Sequence, residues 1–505
     1  MANDHSTIAS VDPRTATILD ELPADDATHL DAVVARAAAL HEDGVLRPLA
    51  TRAALLRACA NEIEADRPRI VATCDAETGL GEVRLNGELS RTTGQLRAFA
   101  DVVERGEVVD AMLDAALPDA TPPRPDVRRM EVPIGPVAVF GASNFPLAFG
   151  AAGGDTASAL AAGCPVVIKA HPAHPATGRL VAEALRRGAA EAGLPEDVVG
   201  HVLTAELDLA ERLVDAEPIA AVGFTGSFEG GAAITRRAAL RPRPIPVYAE
   251  MGSINPVVVT PAAARARAGA IASALAPSLA GNAGQLCTKP NLILVPDDAD
   301  GRALVDELAS RLGEAPPQPL LNERLCAAVG VDLEKLDAVA GLERATPAVR
   351  APGYQRVFGL YTGRAADVAS EGELWQEHFG PVAIALTYAG EGELLDLLQQ
   401  AEGQLTATLH AEEEDGELAA LLSRRLAAIS GRVVFDGVPT GVAVTRAMVH
   451  GGPWPATSAP ATTSVGLTAH RRFTRPVAFQ DAPAWALPPE LQDGNPLGIV
   501  RREAE

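Results

Sequence analysis

From Val137 onward the chain alternates short, almost wholly apolar runs with longer helical ones. "VAVFG", "PVVIKA", "HVLT" and "AAVGFTGS" are separated by a small-residue stretch and by amphipathic pieces such as "GRLVAEALRRGAAEAG". A strand with no polar alternation has to be covered on both faces, and strands joined through helices pair in parallel. No other feature restricts the fold as strongly. It predicts βαβ units and a parallel sheet, whose ligands sit at the carboxyl ends of the strands. A second alternating region, from "INPVVVT" through "NLILVP" and "VAIALTY" to "RVVFDG", predicts a separate α/β domain.

Upstream, residues 28–66 and 69–105 read as helical, with apolar residues at three- and four-residue spacing. The proline-rich "LPDATPPRPDVRRMEVPIG" then breaks the pattern, and its extended flanks predict a projecting hairpin or arm. The tail from about Gly451, rich in Pro, Thr and Ser, reads as irregular.

Charge and cysteine content exclude several classes. With 43 Lys and Arg against 66 Asp and Glu, the formal net charge is -23, and no basic block exists. Nucleic acid and anionic membrane are repelled by such a surface. The amino terminus lacks a basic segment followed by an apolar one, so no secretory signal is expected. The most apolar stretch is interrupted by Asn144, Pro146, Asp155 and Pro165, which suits a buried core and not a membrane span. The five cysteines, Cys59, Cys74, Cys164, Cys287 and Cys326, show no CxxC spacing. That argues against a disulfide framework and a thiolate zinc site, and it predicts a reducing cytoplasm.

Polar residues stand where the strands end. "VFGASNFP" ends with Ser143 and Asn144, "VVIKAHPAHP" with Lys169, His171 and His174, and "VGFTGSFEGG" with Thr225, Gly226 and Ser227. A glycine turn feeding a helix N-terminus suits a phosphate, although "GFTGSFEGG" is not a literal GxGxxG and fits an ordinary strand-turn-helix as well. His171 and His174 have the look of a metal pair, but no carboxylate or Cys stands near them, so a structural loop is expected and no metal. Cys287 lies in "GNAGQLCTKPNLILVP", after Gly281, Asn282, Gly284 and Gln285. It is either a small buried hydrophobe or a thiolate nucleophile, for which a glycine-rich loop offers access and N–H donors. Glu250, in "PIPVYAEMGSINP", is either a salt-bridged strand end or a general base whose pKa burial would raise.

Taken together, "GASNFPLAFG", "FTGSFEGG", "YAEMGSINP", "GNAGQLCT" and "EHFGPV" resemble the aldehyde dehydrogenase superfamily in content and order, over nearly the whole chain. The resemblance implies an α/β fold: a Rossmann-like dinucleotide-binding domain over 1–111 and 134–250, a catalytic α/β domain over 251–450, and an oligomerisation arm and tail over 112–133 and 451–505. It implies a nucleophile at Cys287, an oxyanion hole of Asn144 with the Cys287 backbone N–H, and a water-activating base at Glu250. It places the adenosine ribose at Lys169, the pyrophosphate at Gly226 and Ser227, the nicotinamide ribose at Glu377 and the nicotinamide beside Phe379. A homodimer or homotetramer is implied as well.

Many NAD-preferring members carry a glutamate three residues after the lysine, where this chain has Pro172. Without that carboxylate a 2′-phosphate is not repelled, so NADP is expected, with NAD possible and with His171 or a nearby Arg adding attraction. "PIPVYAEMGSINPVVV", "GVPTGVAVTRAMVHGGPWPATSAPATTSVG" and "LPPELQDGNPLGIVRR" are similar to one subgroup, the 2-oxoglutarate semialdehyde (2,5-dioxopentanoate) dehydrogenases. The implied reaction is oxidation of that semialdehyde through a cysteine thiohemiacetal and thioester, with Arg446 as the expected anchor for the substrate carboxylate. The alternatives are an NADP-dependent fatty or other aliphatic aldehyde dehydrogenase and a catalytically inactive relative on the same fold.

Overall fold

The computed structural model describes residues 7–349 and 351–503. It opens with a hairpin that the sequence does not announce, β1 (Thr7–Asp12) paired antiparallel with β2 (Thr17–Pro23). The two helical stretches expected next are four helices: α1 (Ala27–Glu42), α2 (Leu49–Ala65), α3 (Arg67–Thr78) and α4 (Glu82–Glu104). Gly79 and Gly81, at φ 68° and 87°, separate α3 from α4 in a conformation that costs residues with a Cβ. Leu85, Leu89, Leu96 and Phe99 turn one face of α4 into the core shared with α2.

The arm is a hairpin of β3 (Ala111–Asp114) and β4 (Val127–Pro133), with Met112 opposite Arg129. The tail, expected to be irregular, completes its sheet. Residues 474–480 pair antiparallel along all of β4, and residues 501–503 pair in parallel with β3. "TRPVAFQ" hides this strand from a hydrophobicity reading because it is half-exposed and carries Pro476; edge position tolerates both.

The first parallel sheet holds β5 (Val137–Phe140), β6 (Val166–Lys169), β7 (Val199–Val202), β8 (Ala221–Thr225) and β9 (Val247–Glu250) in the order β7-β6-β5-β8-β9. Between them run α5 (Gly154–Ala162), α6 (Pro175–Glu191), α7 (Leu207–Asp215) and α8 (Phe228–Ala239). From β5 the chain first builds outward through β6 and β7, then returns to the other side with β8 and β9. The crevice between the carboxyl ends of β5 and β8 is therefore the switch point where such sheets take ligands. Register sets Phe140 beside Lys169 and Thr225 beside Glu250 at that end.

Six residues after β9 the chain enters β10 (Val257–Val259) of a second, seven-stranded sheet. Here α9 (Pro261–Ala280) leads through the loop bearing Cys287 to β11 (Leu292–Pro296), a neighbour of β10. The other strands are residues 382–388, 359–364 and 342–344 on one side and 404–410 and 430–435 on the other, antiparallel only at 342–344. Glu250 thus ends the last strand before the chain crosses to the second sheet, and Cys287 lies on the loop that enters β11 of that sheet.

Candidate active site

The Cys287 loop is held in a conformation few residues accept. Asn282, Ala283 and Gly284 are all left-handed, at φ 55°, 53° and 67°. A Cβ on Gly284 would lie 2.1 Å from the carbonyl oxygen of Gly380, in the "EHFGPV" segment, so glycine is required for that close approach. Gln285 pins the turn, its Nε2 donating to Asn282 O at 3.0 Å and its Oε1 accepting from Leu321 N at 2.9 Å. Asn255 Nδ2 donates to Cys287 O at 2.8 Å and Lys289 O at 3.0 Å. Lys289 Nζ, fully buried, donates to Asn291 Oδ1 and to the carbonyls of His378 and Val382, tying the loop to the neighbouring segment.

Three reactive groups converge beside this loop. Cys287 Sγ is 3.5 Å from His450 Nε2, and that nitrogen is 2.7 Å from Glu250 Oε1. One ligand-type atom from each of the three lies within 4.8 Å of the others. The 2.7 Å contact is off-line for a hydrogen bond, so Oε1 keeps a lone pair free, and His450 Nδ1 has no partner among the described residues. Ser464 Oγ donates to Glu250 Oε2, and Ser464 N donates to His450 O at 2.9 Å. A cavity of about 10 Å³ lined by Glu250, His450 and Ser464 has room for roughly one water.

Burial, then the charges of Glu250 and Glu377, push the Cys287 thiol well above its ordinary range. Glu250 reverses the sequence-based expectation. Burial alone would raise its pKa, but the charge of His450, 2.7 Å away, and a hydrogen bond from Ser464 outweigh it and hold the carboxyl below its usual value. The sequence showed the burial without showing the partner.

Asn144 is buried, and its Nδ2 donates to Gln285 O at 3.0 Å, which sets the amide against the Cys287 loop. Its backbone is fixed by Arg84 Nη2, which donates to Asn144 O at 2.8 Å. Glu377 stands across the site, where a Cβ on Gly252 would meet its Oε2 at 2.4 Å, and burial raises its carboxyl to about 7. Phe379 lies two residues on, half-buried.

Lys169, Gly226 and Ser227 sit apart from these, at the carboxyl ends of β6 and β8. The Lys169 ammonium forms no hydrogen bond or ion pair among the described residues, and burial brings it down to about 8. Ser227 caps α8, its Oγ accepting from Gly230 N at 3.2 Å, and Gly226 N donates to Glu250 O at 3.1 Å. An unpartnered cation and a capped helix N-terminus, at the carboxyl ends of the two strands that flank β5, fit the ribose and phosphates of a dinucleotide.

Two secondary expectations change. Burial, with the charges of His174, Lys169 and Arg324, holds His171 well below its ordinary pKa, so it is neutral and adds no attraction for a phosphate. Its ring stacks on His174 at 5.5 Å, and each ring uses a nitrogen on the backbone. Arg446 is exposed and spends its guanidinium on Glu107, at 2.6 and 3.1 Å, instead of facing a substrate tunnel. Conversely His450, Ser464, Asn255 and Lys289 were not singled out from sequence. His450 and Ser464 lie in the motif "AMVHGGPWPATSAPATTSVG", where a lone histidine was the available signal.

The model of the aldehyde dehydrogenase family matches residues 1–324. The chain is 44% identical over 507 residues to alpha-ketoglutaric semialdehyde dehydrogenase 2 of Azospirillum brasilense, covering 99% of this chain and 96% of that protein. It is 42% identical to alpha-ketoglutaric semialdehyde dehydrogenase of Acinetobacter baylyi over 89% of this chain and 86% of that one. Among solved structures, glyceraldehyde-3-phosphate dehydrogenase of Methanocaldococcus jannaschii, complexed with NADP, superposes at a TM-score of 0.80 with 18% identity. That likeness covers 95% of this chain and 99% of the other, and it concerns the fold.

Proposed function

The chain belongs to the aldehyde dehydrogenase family, and from that premise we propose that it oxidises 2-oxoglutarate semialdehyde to 2-oxoglutarate, preferring NADP to NAD. The observation that carries the reading is the convergence of Cys287, His450 and Glu250 in a chain so extensively similar to two proteins named for that substrate. An inactive relative would have no use for all three groups together with Asn144.

In this reading Cys287 Sγ attacks the aldehyde carbon and its proton passes to the His450–Glu250 pair. The oxyanion of the thiohemiacetal is held by Asn144 Nδ2 and the Cys287 backbone N–H. Lys169 would hold the adenosine ribose, Gly226 and Ser227 the pyrophosphate, Glu377 the nicotinamide ribose and Phe379 the nicotinamide ring. When bound, the nicotinamide supplies the hydride acceptor. Glu250 then removes a proton from a water that attacks the thioester carbon, and Sγ departs as thiolate. The depressed pKa of Glu250 keeps it ionised for this step.

The preference for NADP rests on Pro172 and on two cations, Lys169 and Arg324, whose charges both reach His171. A homodimer or homotetramer is supported by the edge strand 474–480 and by a groove of about 1010 Å³ lined by Met130, Val132, Phe479 and Leu487. Five free cysteines favour the cytoplasm, and no helix among the described residues is long and apolar enough to cross a membrane.

The test is initial rates with NADP and NAD on 2-oxoglutarate semialdehyde and on a medium-chain aliphatic aldehyde. A clear advantage in kcat/KM for the semialdehyde with NADP supports the reading. Preference for the aliphatic aldehyde overturns the substrate, and preference for NAD overturns the cofactor.

A further inference from the structure

One face of α4 carries Arg84, Glu88, Arg91 and Gln95 at three- and four-residue spacing. That face packs on the segment following Asn144, and most of its charge is consumed there. Glu88 Oε1 accepts from Leu147 N and Ala148 N, both at 2.9 Å, while Arg84 stands 3.4 Å from Glu88 Oε2 and donates to Asn144 O. Arg91 is different. Its Nη1 is buried with no hydrogen-bond partner, and it forms no ion pair among the described residues.

Arg91 is linked to the reacting sulfur through a chain of two packed rings. Its guanidinium lies over the ring of Phe149, 5.2 Å from the centroid. The Phe149 ring is 6.3 Å from that of His450, and His450 Nε2 is 3.5 Å from Cys287 Sγ. A guanidinium held over an aromatic ring can still present donors to a carboxylate, which it can grip with two parallel hydrogen bonds. Two other arginines have less to offer. Arg432 directs Nη1 and Nη2 to the carbonyls of Gly441 and Pro439, and Arg446 is held by Glu107. A buried cation without a partner is costly, and an arriving anion relieves that cost.

We propose that Arg91 is the carboxylate anchor of the substrate site, selecting aldehydes that carry a carboxylate a few carbons from the reacting carbonyl. This rests on the semialdehyde reading above and names the residue that enforces it. The desolvation that lowers the Arg91 pKa, opposed by the charges of Glu88, Cys287 and Glu250, is consistent with a cation awaiting an anion.

The test compares wild type with Arg91→Met and Arg91→Lys on 2-oxoglutarate semialdehyde and on pentanal, which has the same chain length and no charge. Loss of a buried charge pair predicts a fall of about 30- to 1,000-fold in kcat/KM for the semialdehyde in Arg91→Met, chiefly through KM. Pentanal kinetics should stay within about threefold, and Arg91→Lys should recover part of the loss because it restores charge without the fork. A second readout avoids turnover: alkylation of Cys287 by iodoacetate relative to iodoacetamide should drop in Arg91→Met, since only the first reagent is an anion. Equal losses on both aldehydes, or no loss on either, would overturn the proposal. If wild type selects the semialdehyde and Arg91→Met selects it as strongly, the substrate reading stands and the anchor falls. If wild type prefers pentanal, the substrate reading and the anchor fall together.

Discussion

Replacing His450 with glutamine isolates how the Cys287 thiol becomes reactive. Glutamine keeps a donor of similar reach and removes the ability to carry positive charge. Burial, Glu250 and Glu377 all push the Cys287 thiol upward, and His450 Nε2, at 3.5 Å, is the group placed to oppose them. Unit charges at that distance interact by about 5 kcal/mol at an effective dielectric of 20. Glu250 Oε1 draws on the same nitrogen from 2.7 Å, so roughly half, about 2 kcal/mol, is assigned to the sulfur. At about 1.4 kcal/mol per factor of ten this is roughly thirtyfold in thiolate. The assay is the pH dependence of Cys287 alkylation by iodoacetamide, read by mass spectrometry. It is selective because Cys59, Cys74, Cys164 and Cys326 are buried and Cys287 is not. At pH 7.5 the variant should react about thirtyfold more slowly, with its midpoint shifted upward. A rate within twofold of wild type would refute the electrostatic coupling and leave Glu250 as the sole activator.

Other perturbations probe separate steps. Glu250→Gln should give a burst of one reduced cofactor per site, followed by turnover about 10²- to 10⁴-fold below wild type, because His450 remains to take the thiol proton whereas the attack of water needs the carboxylate. Since Glu250 is depressed, it stays ionised from pH 7 down to 5, and deacylation should not fall across that window; an acid limb near pH 6.5 would contradict the geometry. Lys169→Met should raise KM for NADP more than for NAD, and in wild type the NADP advantage should shrink as pH rises through about 8, where the cation is lost. Gly284→Ala drives a Cβ to 2.1 Å from Gly380 O and adds about 1–2 kcal/mol of left-handed strain, so Cys287 alkylation and turnover should both collapse. Lys289→Met removes three buried hydrogen bonds and should cost about 3 kcal/mol in urea unfolding.

The legibility of this chain follows from the range over which each signal acts. The inner strands of both sheets are readable because those such as 137–140 and 382–388 are buried on two faces, which writes an apolar run into four to seven adjacent letters. The strand 474–480 is not, because its pairing with β4 joins residues more than three hundred positions apart and leaves its side chains half-exposed. The same division runs through the site. Cys287, Glu250 and Asn144 each sit in a local context odd enough to notice: a glycine-rich loop, an acid in an apolar run, an amide after a buried strand. Their partners have no such context. His450 acts on Glu250 across two hundred residues, and its charge reverses the pKa shift that burial alone would give. Arg91 is harder still, since an arginine on a helix beside Glu88 reads as one more solvated ion pair. Only packing shows that Glu88 is taken by Arg84 and by the backbone of Leu147 and Ala148, leaving Arg91 over Phe149 with donors to spare. Sequence therefore exposes the groups proposed for the chemistry through their local strangeness. The groups proposed to tune it and to select the substrate look ordinary until the fold shows which charges have no partner.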